Sequence, residues 1–266
     1  MSIALPARAK LNLDLAVLGR RSDGFHDVRT TLQAIDLHDL VTVASAQQTT
    51  LITSGLPITS PSHNSTLQAL AALEEATNRQ LPTRIHLHKQ IPPGSGMGGA
   101  SSDAAAALRA LSALHHVTAD LPGIAATLGA DVPFFLAGGT AIAEQRGDHL
   151  TAIPTQSRWF AIAWPGVELP TPDVYRAWDQ MDNKPPANAS NHLTEAAMRI
   201  EPRLKEFANV LNSTESNHPT HPTHTWQMTG SGSAFFLPTK TAQEARQATA
   251  HLKCWTAVAQ SIGSWS

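Results

Sequence analysis

Residues 84–114 read in order as a strand, a glycine loop and an alanine-rich helix, and no other stretch limits the possible architectures as much. Arg84-Ile85-His86-Leu87-His88-Lys89 alternates polar and apolar residues with the period of a strand. Pro92-Pro93 is followed by Gly94-Ser95-Gly96-Met97-Gly98-Gly99, and a helix rich in alanine runs from about Ser101 to Leu114. Glycines at this density let a backbone come close to phosphate oxygens or to another backbone. Ser101-Ser102-Asp103 then sets hydroxyls at the helix start, where free N–H groups and the dipole amount to about half a positive charge. The expected result is an anion cradle.

Gly94, Gly96 and Gly99 also satisfy G-x-G-x-x-G, a short pattern with several meanings. A dinucleotide site needs an acidic residue about twenty positions on at a strand end, and Asp120, which has the spacing, stands in a helix-capping context instead. A Walker loop needs Gly-Lys before Ser or Thr, and the chain has no Gly-Lys pair. The His-Arg-Asp and Asp-Phe-Gly sequences of protein kinases are missing as well. A turn that only packs strand against helix stays open as an alternative. Asp103 reads either as a first-turn dipole residue or as the neighbour of a phosphate-bound Mg2+.

Around this unit the pattern is mixed. Leu11, Leu13, Leu15 and Val17 alternate with polar or small residues, predicting a first strand with Lys10 and Asn12 on one face. A turn over 19–24 and strands near 28–35, 41–45 and 49–53 predict an antiparallel meander. Ser62 or Asn64 caps a helix reaching Thr77, and Asp120 caps another with Gly129 just past its end. A strand is expected over 139–145. The polar stretch 150–157 predicts a boundary between an N-terminal domain, 1–152, and a C-terminal domain, 153–266. The second half reads as a strand (159–164), helices (171–178 and 194–212), strands near 226 and 234–237, a helix (241–252) and a strand (255–259). The whole is an α+β pattern.

Nineteen Lys and Arg against twenty-one Asp and Glu leave a net charge of −2, with no broad field to gather nucleic acid or anionic lipid. Neither a nucleic-acid nor a membrane partner is expected, so any anion must be caught locally. The least charged window, 121–143, carries Asp131, two prolines and several glycines, and makes a poor membrane span. Pro6, Arg8 and Lys10 interrupt any export signal, and the single cysteine, Cys254, cannot form an internal disulfide. A cytoplasmic location is expected. His218, His221 and His224 recur every third residue in a proline-containing run; this reads as a solvated loop, since no carboxylate or cysteine completes a metal site.

The stretch from Pro92 to Ala105 resembles the phosphate-binding motif of the GHMP kinases, the superfamily of galactokinase, homoserine kinase and mevalonate kinase. Ala9-Lys10-Leu11-Asn12-Leu13 and the late glycine loop Thr229-Gly230-Ser231-Gly232-Ser233-Ala234 resemble its other two motifs. Within it, four features are similar to the branch acting on 4-diphosphocytidyl-2-C-methyl-D-erythritol in non-mevalonate isoprenoid precursor synthesis. They are Gly19-Arg20-Arg21-Ser22-Asp23-Gly24-Phe25-His26, Gly129-Ala130-Asp131-Val132-Pro133-Phe134-Phe135, Pro165-Gly166 and Pro170-Thr171-Pro172.

That resemblance implies a two-domain α+β GHMP kinase fold with the active site in the interdomain cleft. It implies ATP as phosphoryl donor, with Mg2+ arriving on ATP and no protein metal ligand assigned. ATP phosphates would lie on Pro93, Gly94, Ser95, Gly96, Met97, Gly98, Gly99, Ala100, Ser101 and Ser102. Lys10 and Asp131 would be the catalytic pair, the carboxylate taking the hydroxyl proton and the ammonium stabilising developing charge. The small-molecule substrate would be held by Asn12, Phe25, His26, Thr171, Pro172, Tyr175, Gly230, Ser231 and Gly232, with Phe25 and Tyr175 stacking on the base and His26 reading its edge.

The sequence departs from that family at three places. Pro6-Ala7-Arg8-Ala9-Lys10 replaces the usual Pro-Ala-Lys, the Asn-Leu pair expected beside adenine is missing near 61–66, and the family's Tyr and Phe exchange places at 25 and 175. The alternatives are a GHMP kinase for another alcohol, of the homoserine or mevalonate type, and a catalytically silent nucleotide-binding member. Lys10 with Asp131 argues against the silent form. Phe25-His26 with Pro170-Thr171-Pro172 argues against the other alcohols.

Overall fold

The computed structural model describes residues 1–58, 64–215 and 225–265. Two long strands, β1 (Ser2–Arg20) and β2 (His26–Ser45), pair antiparallel along almost their whole length. After them come β3 (Thr50–Gly55), α1 (Ser65–Thr77), β4 (Thr83–Lys89), α2 (Gly99–His115), α3 (Leu121–Leu128), α4 (Val132–Ala137), β5 (Thr140–Gln145) and β6 (His149–Ile153). The first sheet runs β3-β4-β2-β5-β6, with β1 also on β2. One half of β2, Val28–Gln33, pairs with β5, and the other, Leu40–Ser45, pairs with β4. The sequence pattern splits β2 in two because its burial pattern changes between those halves, while the backbone carries on unbroken.

The second sheet, β10-β7-β9-β8, is antiparallel throughout. It is built from β7 (Trp159–Trp164), β8 (Gln227–Met228), β9 (Phe235–Thr239) and β10 (Trp255–Gln260), with α5 (Thr171–Asp179), α6 (Thr194–Ile200), α7 (Arg203–Glu215) and α8 (Ala242–Thr249). The single helix expected over 194–212 is two, since Pro202 lacks the N–H that would carry α6 onward. The α4 helix and β6 are additions to the expected elements. The last described residues return to the first sheet, where Ser261 bridges to Ile35, Ser264 bridges to Gly138 and the Trp265 N–H donates to the Ala137 carbonyl at 3.0 Å.

Alanine at 104, 105 and 107 lets α2 lie close to the first sheet, against Leu32, Val41, Val43 and Ile85. Leu15, Val17 and Val28 of the first hairpin instead join Val174, Trp178 and Leu237 in a second core. A third core, with Ala9, Leu11, Ile35, Ile91, Met97, Phe160 and Phe236, fills the seam where the two sheets meet. Burial of each large side chain there contributes about 1.5–3 kcal/mol. This seam fixes what lies above it, because Leu11 and Met97 are chain neighbours of Lys10, Asn12 and the glycine loop. Among the described residues no helix is long and apolar enough to cross a membrane.

Candidate active site

A cleft of about 790 Å³ opens over the seam and is lined from both sheets. It brings together Lys10 and Asn12 of β1, Phe25 and His26 at the first hairpin, the loop from Pro93 to Ser101, Asp131, Thr171, Pro172 and Tyr175 of α5, and Gly230, Ser231 and Gly232. Two of the sequence-predicted residues do not line it. Met97 is fully buried in the seam core, and Ser102 is buried with its hydroxyl donating to the Gly99 carbonyl at 3.1 Å. Neither side chain reaches the cleft surface. Ser95 lines the cleft, but its hydroxyl is spent on the Pro92 carbonyl at 2.6 Å. The His218–His224 tract lies outside the described residues, as do Pro61, Ser62 and His63.

Register shifts of β1 against β2 fall between Arg8 and Lys10 and between Asn12 and Asp14, one on each side of the two polar residues. Bulges of this kind re-aim side chains beside functional sites. The buried Lys10 ammonium donates to Asn12 Oδ1 and lies 3.8 Å from Asp131 Oδ2. Asn12 is held in turn, its Nδ2 donating to Thr30 Oγ1 at 2.8 Å and its backbone N–H to Thr229 Oγ1 at 2.9 Å. Burial lowers the Lys10 pKa, and the Asp131 carboxylate offsets part of that. Asp131 precedes α4 without capping it through its side chain, so its carboxylate faces the cleft with about a third of its surface open.

The two glycine loops interlock. Ser233 N–H donates to the Gly94 carbonyl at 3.2 Å, and Ala234 N–H to the Ser95 carbonyl at 3.0 Å. Gly96 has φ +78°, and a Cβ there would lie 2.3 Å from the Thr229 carbonyl oxygen. The glycine at 96 is thus required by backbone packed against backbone, a reason the sequence does not disclose. Asn191, buried, braces the late loop by donating from Nδ2 to the Met228 and Gly230 carbonyls, each at 2.8 Å. Thr171 and Ser231 share a hydroxyl bond of 2.8 Å across the same wall.

At the α2 start, Gly98 is the N-cap and offers no side chain, and Ser102 N–H is bonded back to the Gly98 carbonyl at 2.9 Å. Gly99, Ala100 and Ser101 therefore occupy the turn whose N–H groups point out of the helix, and all three line the cleft. Such a terminus of a 17-residue helix favours an anion. Asp103 is not a first-turn residue. It sits one turn inside and is buried, its carboxylate on the Lys89 ammonium at 2.7 Å, which replaces the reading of that residue as a first-turn dipole residue.

On the opposite side, His26 Nε2 lies 2.7 Å from Asp179 Oδ1, and the Tyr175 ring stacks on the His26 ring at 4.8 Å. Burial, and then the charge of Asp131, raise the Tyr175 pKa and keep its hydroxyl protonated. Phe25 is 55% exposed, with the Arg146 guanidinium over one face at 4.5 Å. Phe25 and Tyr175 thus each give one face to a protein cation or imidazole, and both line the cleft. Sequence reasoning overlooked Asp179, although Thr171, Tyr175 and Asp179 recur every four residues along α5 and so share a helix face. Arg146, in the β5–β6 turn, carries no local signal of this kind.

The arrangement supplies a helix start with free N–H groups, a buried ammonium beside an accessible carboxylate, and an aromatic pocket, all in one cleft. A model of the GHMP kinases N terminal domain matches residues 64–139. The chain is 36% identical to the 4-diphosphocytidyl-2-C-methyl-D-erythritol kinase of Thermus thermophilus, across 94% of this chain and 92% of that one. It is 38% identical to the enzyme of the same name from Moorella thermoacetica, across 80% and 77%. A crystal structure of 4-(cytidine 5'-diphospho)-2C-methyl-D-erythritol kinase superposes with a TM-score of 0.82 at 33% identity, covering 98% of this chain and all of that one.

Proposed function

Because the chain belongs to the 4-diphosphocytidyl-2-C-methyl-D-erythritol kinase family of the GHMP kinases, we propose that it transfers the γ-phosphoryl group of ATP to the tertiary 2-hydroxyl of that diphosphocytidyl alcohol, a step of isoprenoid precursor synthesis. The observation that carries this reading is the convergence of Lys10, Asp131 and the α2 start in one cleft of a chain similar to these kinases along nearly its whole length. The family uses ATP, and MgATP enters as the donor substrate.

In this reading the triphosphate rests on the N–H groups at the start of α2, with Gly94–Gly99 as its cradle. Asp131 accepts the proton of the attacking hydroxyl. Lys10, desolvated and countered only by Asn12 and a loosely placed carboxylate, stabilises charge on the transferring group, where low dielectric makes it most effective. In-line transfer asks little else of a protein than positioning and charge compensation. Asn12 and the late loop position the alcohol. Phe25, His26 and Tyr175 hold the cytosine, with Thr171 and Pro172 beside them.

The organisation into domains 1–152 and 153–266 belongs to the same proposal. It is supported by β6 ending at Ile153 in one sheet and β7 starting at Trp159 in the other. An ADP-release assay with the diphosphocytidyl substrate, against homoserine, mevalonate and galactose, tests the assignment. Turnover confined to the first substrate is expected, and turnover on another alcohol alone overturns it.

A further inference from the structure

Behind the phosphate side of the cleft, three ionisable side chains from three elements meet out of water: Asp39 of β2, Lys89 of β4 and Asp103 of α2, at 0%, 5% and 2% exposure. Lys89 Nζ donates to Asp103 Oδ2 at 2.7 Å and to Asp39 Oδ2. Asp39 Oδ1 accepts the N–H groups of Gln90 at 2.5 Å and Ile91 at 2.8 Å. Asp39 is thus fully supplied with donors. Asp103 Oδ1 is buried without a hydrogen-bond partner.

The charge balance of the cluster is uneven, with two carboxylates on one ammonium. A buried, uncompensated charge is costly, and the group with fewest donors is the one to give it up. The cluster also adjoins the cradle. Lys89 and Asp103 line the cleft with Gly99 and Ala100, and a Cβ on Gly99 would come within 3.3 Å of Lys89 Nζ.

We propose that Asp103 takes up a proton when ATP binds: the incoming phosphates add negative charge above an already anionic cluster, and a proton from solvent bonds to Oδ1 in answer. The neutral carboxyl leaves Lys89 and Asp39 as a balanced pair under the loop. Asp103 touches no substrate in this scheme, so it is a positioning residue that matches the floor of the cradle to its ligand. The inference rests on the placement of ATP phosphates at the start of α2.

The charges facing Asp103 are few. Burial raises its pKa most; Lys89 opposes that and Asp39 adds to it, and the carboxyl is pushed up to about 8. For Lys89, burial pulls down, but Asp103 and Asp39 outweigh it and its pKa is raised, so the ammonium stays charged. From the other elements packed on α2, neither α3 nor α4 carries an ionisable side chain. Glu74 and Glu75 lie in the last turn of α1, Glu74 on the Leu81 N–H, and Lys10 of β1 is engaged with Asn12 and Asp131. The net negative charge of bound MgATP moves the Asp103 pKa further up, so the proton is taken up between the free and bound values.

The test is calorimetry of MgATP binding to the whole chain, without acceptor alcohol, in buffers of different ionisation enthalpy from pH 6 to 9. At pH 8 the ATP phosphates, with a last pKa of about 6 for an ordinary phosphate, are ionised and contribute no proton change. Uptake of roughly half a proton per ATP is expected at pH 8, falling toward zero at pH 6, where Asp103 is already protonated. Asp103→Asn should bind ATP with no uptake at pH 8, and Asp39→Asn should show less uptake, since the like charge that raises Asp103 is gone. Should neither variant fold, a wild type that binds ATP without proton uptake still overturns the inference. ATP binding without proton uptake anywhere between pH 7 and 9, or equal uptake in Asp103→Asn, overturns the inference. If ATP does not bind at all, the phosphate placement beneath it falls too.

Discussion

Asp179 Oδ1 stands 2.7 Å from His26 Nε2, at the C-terminal end of the helix whose Tyr175 stacks on the same imidazole. A carboxylate at one ring nitrogen sets the orientation of the other, so Asp179 fixes the orientation of the His26 ring in the cleft. Arg20, 3.6 Å from Asp179 but largely exposed, adds little to this. Asp179→Ala is expected to raise the KM for the diphosphocytidyl substrate about 5- to 50-fold, with the KM for ATP within about twofold. Asp179→Asn, which keeps an acceptor oxygen, should recover most of that loss. Equal change in both KM values in steady-state kinetics would count against a role in base recognition.

The proposed catalytic pair, Lys10 and Asp131, gives a second expectation. Asp131→Asn should lower kcat about 100-fold or more while ATP affinity stays near wild type. The charge of Asp131 also holds up the Lys10 pKa against burial, so its removal lets that pKa fall further. Residual activity of Asp131→Asn should therefore drop at a lower pH on the alkaline side than wild-type activity does. Turnover within threefold of wild type would remove Asp131 from the chemistry.

Ala100, exposed at the second position of α2, is a better probe of the phosphate site than Gly96, whose substitution would force the two glycine loops apart. Ala100→Asp places a carboxylate where the dipole welcomes one, stabilising the helix by about 0.3–1 kcal/mol. The same charge should repel a triphosphate. The expected outcome is an unchanged or slightly raised melting temperature with ATP affinity reduced at least tenfold by calorimetry. Undiminished ATP affinity in this folded variant would move the phosphates elsewhere.

What could be read beforehand was whatever has a local signature. The glycine loop, the helix after it, Lys10 and Asn12 on one strand face, and the Asn64 cap all follow from spacing within a few residues. The features hidden from the sequence are made by distant partners: Asn12 meets Thr229 across 217 positions, and Lys89 meets Asp39 across 50. Gly96 illustrates the difference well. Its need for glycine was legible, but the Thr229 carbonyl that imposes it was not. Asp103 looked like a helix-start residue because its sequence neighbours are, while burial and Lys89 decide what it does. The α4 helix, six residues with a proline near its start, is too short to show a period.

The most direct measurement is 31P NMR of the products when the protein is given MgATP and the diphosphocytidyl methylerythritol. A phosphate on the tertiary 2-hydroxyl sits on a carbon that bears no hydrogen, so the proton-coupled spectrum should show one new phosphomonoester line without three-bond proton splitting, growing in step with ADP. A split phosphomonoester line, or ADP formed with no new ester, would contradict the assignment.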